Sequence, residues 1–100
     1  MPAYWVARSK VIKPESYKLY AEKVPEIIAK YGGQVLARGG DFKILEGTDK
    51  FNRFIVIEFS SIADGEACFN SEEYQAAAAN RRHGAGEVDL ILVASGAPTT

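Results

Sequence analysis

Residues 53–60, with the sequence RFIVIEFS, decide the fold of this chain, because their β-branched and aromatic side chains predict its strongest strand. Successive side chains of a strand point to opposite sides of the sheet. One side of this strand carries the apolar set Ile55, Ile57 and Phe59, which suits packing beneath helices. The strand is therefore expected at the centre of a sheet that helices cover on one face.

An amphipathic helix is predicted upstream of this strand. Apolar side chains repeat over residues 17–31 with the three- and four-residue spacing of a helix that is buried on one side. Pro14 suits the first helical turn, where its missing N–H is not needed, and Gly32-Gly33 suits a left-handed helix end. Pro25 predicts a kink, because it removes one backbone hydrogen bond.

The remaining elements complete a β-α-β-β-α-β order. Further strands are expected over residues 4–12, 34–38, 42–46 and 88–94. The pair Gly39-Gly40 separates the two short middle strands, and Ser61 and Ser71 each predict a helix start in the second helical region. This order is typical of an α+β, ferredoxin-like fold, with an antiparallel sheet and two helices on one face.

Composition predicts a single small domain. The chain has 100 residues and a net charge of −1, so it offers no broad basic surface for nucleic acid. Its single cysteine, Cys68, excludes an internal disulfide. Because no segment resembles a signal peptide or a membrane span, we expect a cytoplasmic protein with no membrane partner. We expect one domain over residues 1–96 and a flexible tail over residues 97–100.

The second face of the predicted sheet combines large apolar side chains with a few ionisable ones. Alternation from the neighbouring strands places Arg8, Arg38 and Glu58 on it. Large exposed apolar patches are uncommon on monomers, so we expect this face to pack against a second copy in a homodimer. The charges on it must then pair with one another or with a ligand.

Arg38 and Glu58 are the first candidates for a substrate-binding site. An arginine donates two parallel hydrogen bonds to an acidic or carbonyl-bearing ligand, and Glu58 would orient it or act as a general base. The alternative is a plain cross-strand ion pair, and spacing alone does not separate the two. Arg8 is a further binding candidate on the same face.

Asn70, Ser71 and Tyr74 form a second candidate group. Asn70 and Ser71 would contact a ligand, and Tyr74 would present its hydroxyl to the pocket. The alternative, which we favour, is a helix N-cap at Ser71 followed by a core tyrosine.

No metal or cofactor is expected. His83 has no second histidine or carboxylate at ligand spacing, and Cys68 has no CxxC partner. The sequence contains no nucleotide-binding loop and no serine–histidine–aspartate order. Residues 53–59 lack the glycine and the paired aromatics of an RNA-binding strand, so RNA is not expected as a partner.

Motifs along nearly the whole chain resemble the small bacterial proteins catalogued as domain of unknown function 1330. The motifs are Pro2-Ala3-Tyr4, Tyr31-Gly32-Gly33, Arg38-Gly39-Gly40, Leu45-Glu46-Gly47, Val56-Ile57-Glu58-Phe59 and Phe69-Asn70-Ser71-Glu72-Glu73-Tyr74-Gln75. The resemblance implies a dimeric α/β barrel, in which the sheet of one ferredoxin-like protomer pairs with the sheet of another. It brings no established activity.

Two functions are expected. The first is a dimeric protein that binds a small organic acid or carbonyl compound between sheet and helices; the sequence leaves open whether it is a cofactor-independent enzyme. The alternative is a non-catalytic assembly module whose second sheet face serves only dimerisation. The sequence names neither the ligand nor a reaction.

Overall fold

The computed structural model describes residues 1–96 as one antiparallel sheet of four strands with helices on one face. Its elements are β1 (Ala3–Val11), α1 (Pro14–Lys30), β2 (Gln34–Arg38), β3 (Arg53–Phe59), α2 (Ile62–Asn70), α3 (Glu72–Ala78), a 3-10 turn (Ala79–Arg81) and β4 (Gly86–Ala94). The sheet order β2-β3-β1-β4 confirms the α+β, ferredoxin-like prediction. The predicted tail at 97–100 lies outside the described residues.

Helix α1 has the predicted ends. Pro14 occupies its first turn, and Gly32 follows it with a left-handed φ of +82°. The Gly32 N–H donates to the Ala29 carbonyl at 3.0 Å, and the Gly33 N–H donates to the Ile28 carbonyl at 2.9 Å. These two bonds form a Schellman motif, which satisfies carbonyls that the helix end leaves free. The helix continues through Pro25, and the kink there stays a prediction.

The second helical region divides at Ser71, as its two predicted starts require. The Ser61 hydroxyl accepts the N–H of Asp64, and the Ser71 hydroxyl accepts the N–H of Tyr74, each at 3.1 Å. Both are N-caps that satisfy first-turn donors. The break at Ser71 lets α3 change direction and pack against α1.

The predicted strand over residues 42–46 is wrong. Residues 39–52 contain neither helix nor strand, and the Phe42 ring packs on the Phe54 ring with centroids 4.8 Å apart. Both sides of β3 are already paired, with β1 and β2, so no free edge beside β3 remains for another strand. The segment therefore crosses the sheet instead of extending it.

The two sides of the sheet differ as the alternation predicts. Trp5, Ile57 and Phe59 are no more than 2% exposed on the side beneath the helices, which we call the helix face. The opposite side, the open face, carries Tyr4, Val6, Arg8, Phe54, Val56, Glu58, Asp89, Ile91 and Val93. Among residues 1–96, no helix is both long and apolar enough to span a membrane.

Candidate functional site

A β-bulge in β2 moves Arg38 to the helix face. The pairing with β3 shifts by one residue between Val35 and Ala37, so Arg38 lies opposite Ile55. Directly opposed residues share a face, and a bulge sets two residues against one and so inverts the alternation that follows it. The expectation that Arg38 shares a face with Glu58 is therefore wrong, and the two residues do not form the cross-strand ion pair.

Arg38 lines a narrow cavity between the sheet and α1. The volume inside the cavity that the centre of a water molecule can occupy is about 30 Å³. Its walls are mainly aliphatic and aromatic, and its polar lining consists of Ser9, Tyr17, Tyr20, Arg38 and Arg53. None of the lining residues in the described part of the chain carries a carboxylate. The cavity is thus apolar with two cationic groups, which suits a small ligand that carries negative charge or a strong acceptor.

Arg53 is the cavity residue that sequence reasoning missed. Its guanidinium lies 5.6 Å from the centre of the Tyr17 ring. One terminal nitrogen lies 3.7 Å from the place that a Cβ on Gly39 would take, so the missing side chain of Gly39 leaves room beside it. The two-residue spacing of Arg53 from Ile55 and Ile57 would have placed it on the helix face.

Two arginines therefore meet at one end of this cavity. Arg38 lies opposite Ile55, and Arg53 stands two residues before Ile55 on the same strand. Diagonal neighbours of this kind on one face are about 7–8 Å apart, within reach of two long side chains. Arg38 is exposed and Arg53 is half-buried, so Arg53 is the inner cation and Arg38 the outer one.

Tyrosine hydroxyls supply the remaining polar groups near the cavity. The Tyr17 hydroxyl donates to the Ser9 hydroxyl at 2.9 Å, and Ser9 is 3% exposed. The Tyr20 hydroxyl shares a 2.9 Å hydrogen bond with the Tyr74 hydroxyl. Burial raises the pKa of Tyr20, and the neighbouring Tyr74 raises it further. Tyr20 therefore stays a neutral phenol beside the cavity.

Tyr74 is a core residue and does not line the cavity. It is 0% exposed, and its ring stands edge-on to Trp5 with centroids 5.3 Å apart. Its hydroxyl accepts a hydrogen bond of 3.2 Å from Arg81, which is itself 7% exposed. The aromatic part of Tyr74 fills the core, and its hydroxyl is occupied by a buried arginine and by Tyr20.

Arg8 and Glu58 lie on the open face. The Arg8 guanidinium donates to one Asp89 carboxylate oxygen from two nitrogens, at 3.0 and 3.1 Å. It also stacks 4.2 Å from the centre of the Phe51 ring, so its charge already has partners within the protein. Glu58 lies opposite Tyr4 on β1, so it is on the other face of the sheet from Arg38.

Asn70 and Ser71 lie at the junction of α2 and α3. The Ser71 hydroxyl donates to the Cys68 carbonyl at 2.7 Å while it caps α3, and Asn70 is exposed. Burial raises the pKa of the Cys68 thiol to about 11, so this cysteine is a protonated core residue at neutral pH. Contacts of Asn70 and Ser71 with a ligand stay predictions.

The six predicted site residues thus occupy separate places. Arg38 lines the cavity, Arg8 and Glu58 lie on the open face, Tyr74 is in the core, and Asn70 and Ser71 join α2 to α3. Within residues 1–96, no group of three histidine, cysteine, aspartate or glutamate side chains is arranged to hold a metal ion. Arg53, Tyr17 and Ser9, in place of Glu58 and Tyr74, line the cavity together with Arg38.

Solved structures with the same fold come from several organisms. A protein of unknown function from Rhodopseudomonas palustris is 18% identical, with a TM-score of 0.76 over 97% of this chain and 84% of that chain. SnoaB, a cofactor-independent oxygenase from Streptomyces nogalater, is 14% identical, with a TM-score of 0.64 over 98% of this chain and 96% of that one.

A further similar structure is a dimeric ferredoxin-like protein of unknown function from Bacteroides fragilis. It is 14% identical, with a TM-score of 0.57 over 91% of this chain and 93% of that one. At such identities the likeness shows the fold alone.

No curated protein matches the chain. The family model described as domain of unknown function 1330 matches residues 2–95, almost the whole chain. The chain therefore belongs to the domain of unknown function 1330 family.

Proposed function

We propose that this chain is a cytoplasmic homodimer that binds a small organic acid or carbonyl compound in the cavity between the sheet and α1. The observation that carries the proposal is the cavity itself, in which Arg38 and Arg53 meet apolar walls that hold no carboxylate among residues 1–96. Binding sites for small molecules are concave and mostly apolar, with a few polar groups that fix orientation. Buried Cys68, free of any disulfide, suits a reducing compartment.

Catalysis without a cofactor is an extension of the same proposal. A protein with this fold is a cofactor-independent oxygenase in Streptomyces nogalater, which supports the use of such a scaffold for chemistry on a bound organic molecule. In this chain the two arginines are the groups that can polarise a ligand in the cavity, because the Tyr17 hydroxyl donates to Ser9 and the Tyr20 hydroxyl is shared with Tyr74. Their part would be electrostatic, since hydrogen-bond donors stabilise developing negative charge.

Ligand binding is tested by a thermal-shift screen of aromatic acids, lactones and quinones. A bound ligand raises the melting temperature by mass action, so compounds that fit the cavity should give shifts of roughly 10–20 °C at a ligand concentration of 100 times their Kd. Arg38→Ala is expected to reduce these shifts, because it removes the outer cation. Lys43→Ala, which removes an exposed charge outside the cavity, serves as the control. Hits that Arg38→Ala retains in full would place the site elsewhere.

The homodimer is supported by the open face. Val6 pairs with Val56 on one side and Ile91 on the other, which forms an apolar row across three strands. Val6 is 37% exposed and Ile91 59%, and Val93 beside them is 47% exposed. Contiguous apolar surface of this kind marks interaction sites. The structurally similar protein from Bacteroides fragilis is described as dimeric, which favours a second copy as the occupant.

Ile91→Lys is expected to convert the dimer into a monomer at micromolar concentration. A lysine in the middle of the apolar row would bring an unpaired charge into the interface from each copy, and such burial is costly. Sedimentation velocity measures the change. Leu19→Lys, at a residue of α1 that is 49% exposed and away from the open face, should leave the dimer intact. A wild-type monomer at the same concentration would contradict the proposal.

The second candidate function is a non-catalytic assembly module, which the apolar row on the open face favours. In that case Arg38→Met would leave every thermal shift unchanged and Ile91→Lys would still dissociate the dimer. The two variants together therefore separate ligand binding from assembly, since one residue lies in the cavity and the other on the open face.

A further inference from the structure

The charged side chains that line the cavity among residues 1–96 are both positive. Neither Arg38 nor Arg53 takes part in the ion pairs formed among residues 1–96. Elsewhere in the fold, the exposed arginine Arg8 forms an ion pair with Asp89 at 3.0 Å. Arg38 and Arg53 have no such carboxylate partner among residues 1–96. Two neighbouring guanidinium groups repel each other, and an anion between them would remove that repulsion.

Arg53 lines the cavity and has an unused buried donor. Its Nε is buried and has no hydrogen-bond partner within residues 1–96, although an unpaired buried donor costs about 1–3 kcal/mol. Ser9 lies directly opposite Arg53 on β1, and its hydroxyl already accepts from Tyr17. The guanidinium lies 5.6 Å from the centre of the Tyr17 ring, which supports it on one side. A fixed guanidinium with an unused edge binds a carboxylate through two parallel hydrogen bonds.

The rest of the cavity selects the body of the ligand. Trp5, Ile55 and Ile57 form its floor on the sheet, and Val24 and Ile28 close it from α1. A cavity needs about 10–15 Å³ of this volume to hold one water molecule. The cavity here has about 30 Å³, which is small, so it suits a compact or flat group. Arg38 is an exposed residue of the lining, so its guanidinium is open to solvent.

We infer that the ligand class is a small monocarboxylate with a compact apolar body, whose carboxylate lies between Arg53 and Arg38 and whose body enters the slot beneath α1. This inference rests on the proposed function and narrows it. Of the two ligand classes proposed there, it selects organic acids over neutral carbonyl compounds. It also assigns unequal roles, because Arg53 is half-buried and less screened than exposed Arg38.

Matched pairs of acid and amide test the inference with the intact protein. Benzoate and isobutyrate are titrated beside benzamide and isobutyramide, which have nearly the same shape but no charge. Binding is followed by the chemical shifts of the protein's backbone amides in NMR. Each acid is expected to bind at least tenfold more tightly than its amide, with shifts at residues that line the cavity. Binding should weaken as sodium chloride is raised, because Arg38 is open to solvent.

Variants of the two arginines show which of them contributes more to binding the carboxylate. Arg53→Met should weaken benzoate binding at least tenfold, and Arg38→Met should weaken it by a smaller factor. Arg82→Met removes the same charge outside the cavity, where Arg82 donates to Gln75, and should change the Kd less than twofold. Arg53→Lys keeps the charge but not the paired donors, so it should restore only part of the loss.

Each result bears on a separate claim. If the amides bind as tightly as the acids, or inorganic phosphate binds as tightly as benzoate, the ligand class is wrong while the cavity still binds small molecules. If no acid, amide, lactone or quinone binds, the proposed function itself is wrong. The comparison of acid with amide needs no variant, so it decides the ligand class even where Arg53→Met fails to fold.

Discussion

Trp5→Ala should destabilise the protein by about 3–5 kcal/mol, the usual cost of replacing a large buried aromatic side chain. Trp5 is 2% exposed, and its ring contacts Phe59, Phe69 and Tyr74 at centroid distances of 5.8, 6.1 and 5.3 Å. These three neighbours come from β3, α2 and α3. Loss of the indole therefore loosens the contact between the sheet and both later helices.

An exposed residue away from the open face provides the control. Leu19 on α1 is 49% exposed, so Leu19→Ala should cost no more than about 1 kcal/mol. Urea denaturation followed by far-UV circular dichroism measures both changes without relying on the tryptophan that is removed. Equal losses for the two variants would show that the helix face is not the main core of the domain.

Tyr74→Phe should destabilise the protein by about 1–3 kcal/mol, more than its small change in shape suggests. The Tyr74 hydroxyl is the acceptor for buried Arg81 at 3.2 Å and the partner of the Tyr20 hydroxyl at 2.9 Å. The Arg81 Nε already has no hydrogen-bond partner among residues 1–96, so the loss of a further partner leaves a buried charge less well solvated. Chemical denaturation of the single variant measures the cost.

A double-mutant cycle shows whether the cost comes from the charge. Arg81→Met removes the buried charge itself and leaves the Tyr20–Tyr74 hydrogen bond in place, so it should cost less than Tyr74→Phe alone. In the Arg81→Met background, Tyr74→Phe should then cost about 1 kcal/mol less than in the wild type. Tyr17→Phe, which frees only the neutral hydroxyl of Ser9, is the matched control. Strictly additive free energies would contradict a charge-based role for Tyr74.

Much of the fold follows from local patterns in the sequence. Side chains alternate between the two faces of any strand, and in this strand the set from Ile55 to Phe59 is wholly apolar whereas the other set includes Glu58, which predicts the side that meets the helices. Pro14 and Gly32 act within one helical turn, where their backbone chemistry needs no distant partner. Ser71 likewise caps α3 with an atom only three residues from its donor.

The site depends on pairing between distant strands, and that is where the sequence misleads. The alternation of Phe42 and Ile44 resembles a strand, yet both edges of β3 are taken by β1 and β2. The face of Arg38 depends on a bulge that is defined only once β2 pairs with β3. Arg53 was predictable in part, because its spacing from Ile55 is regular, but its position at the start of the strand hides its burial.

The bulge in β2 makes the position of Arg38 independent of the length of the strand. Leu36 is the unpaired residue, because Val35 lies opposite Ile57 and Ala37 lies opposite Val56. Loss of Leu36 would therefore leave Arg38 opposite Ile55 on the helix face. If Leu36 instead paired with Val56 and every residue were kept, plain alternation would bring Ala37 to the helix face and turn Arg38 to the open face. The local register of two strands, with no change in any residue, thus decides whether a guanidinium borders the cavity.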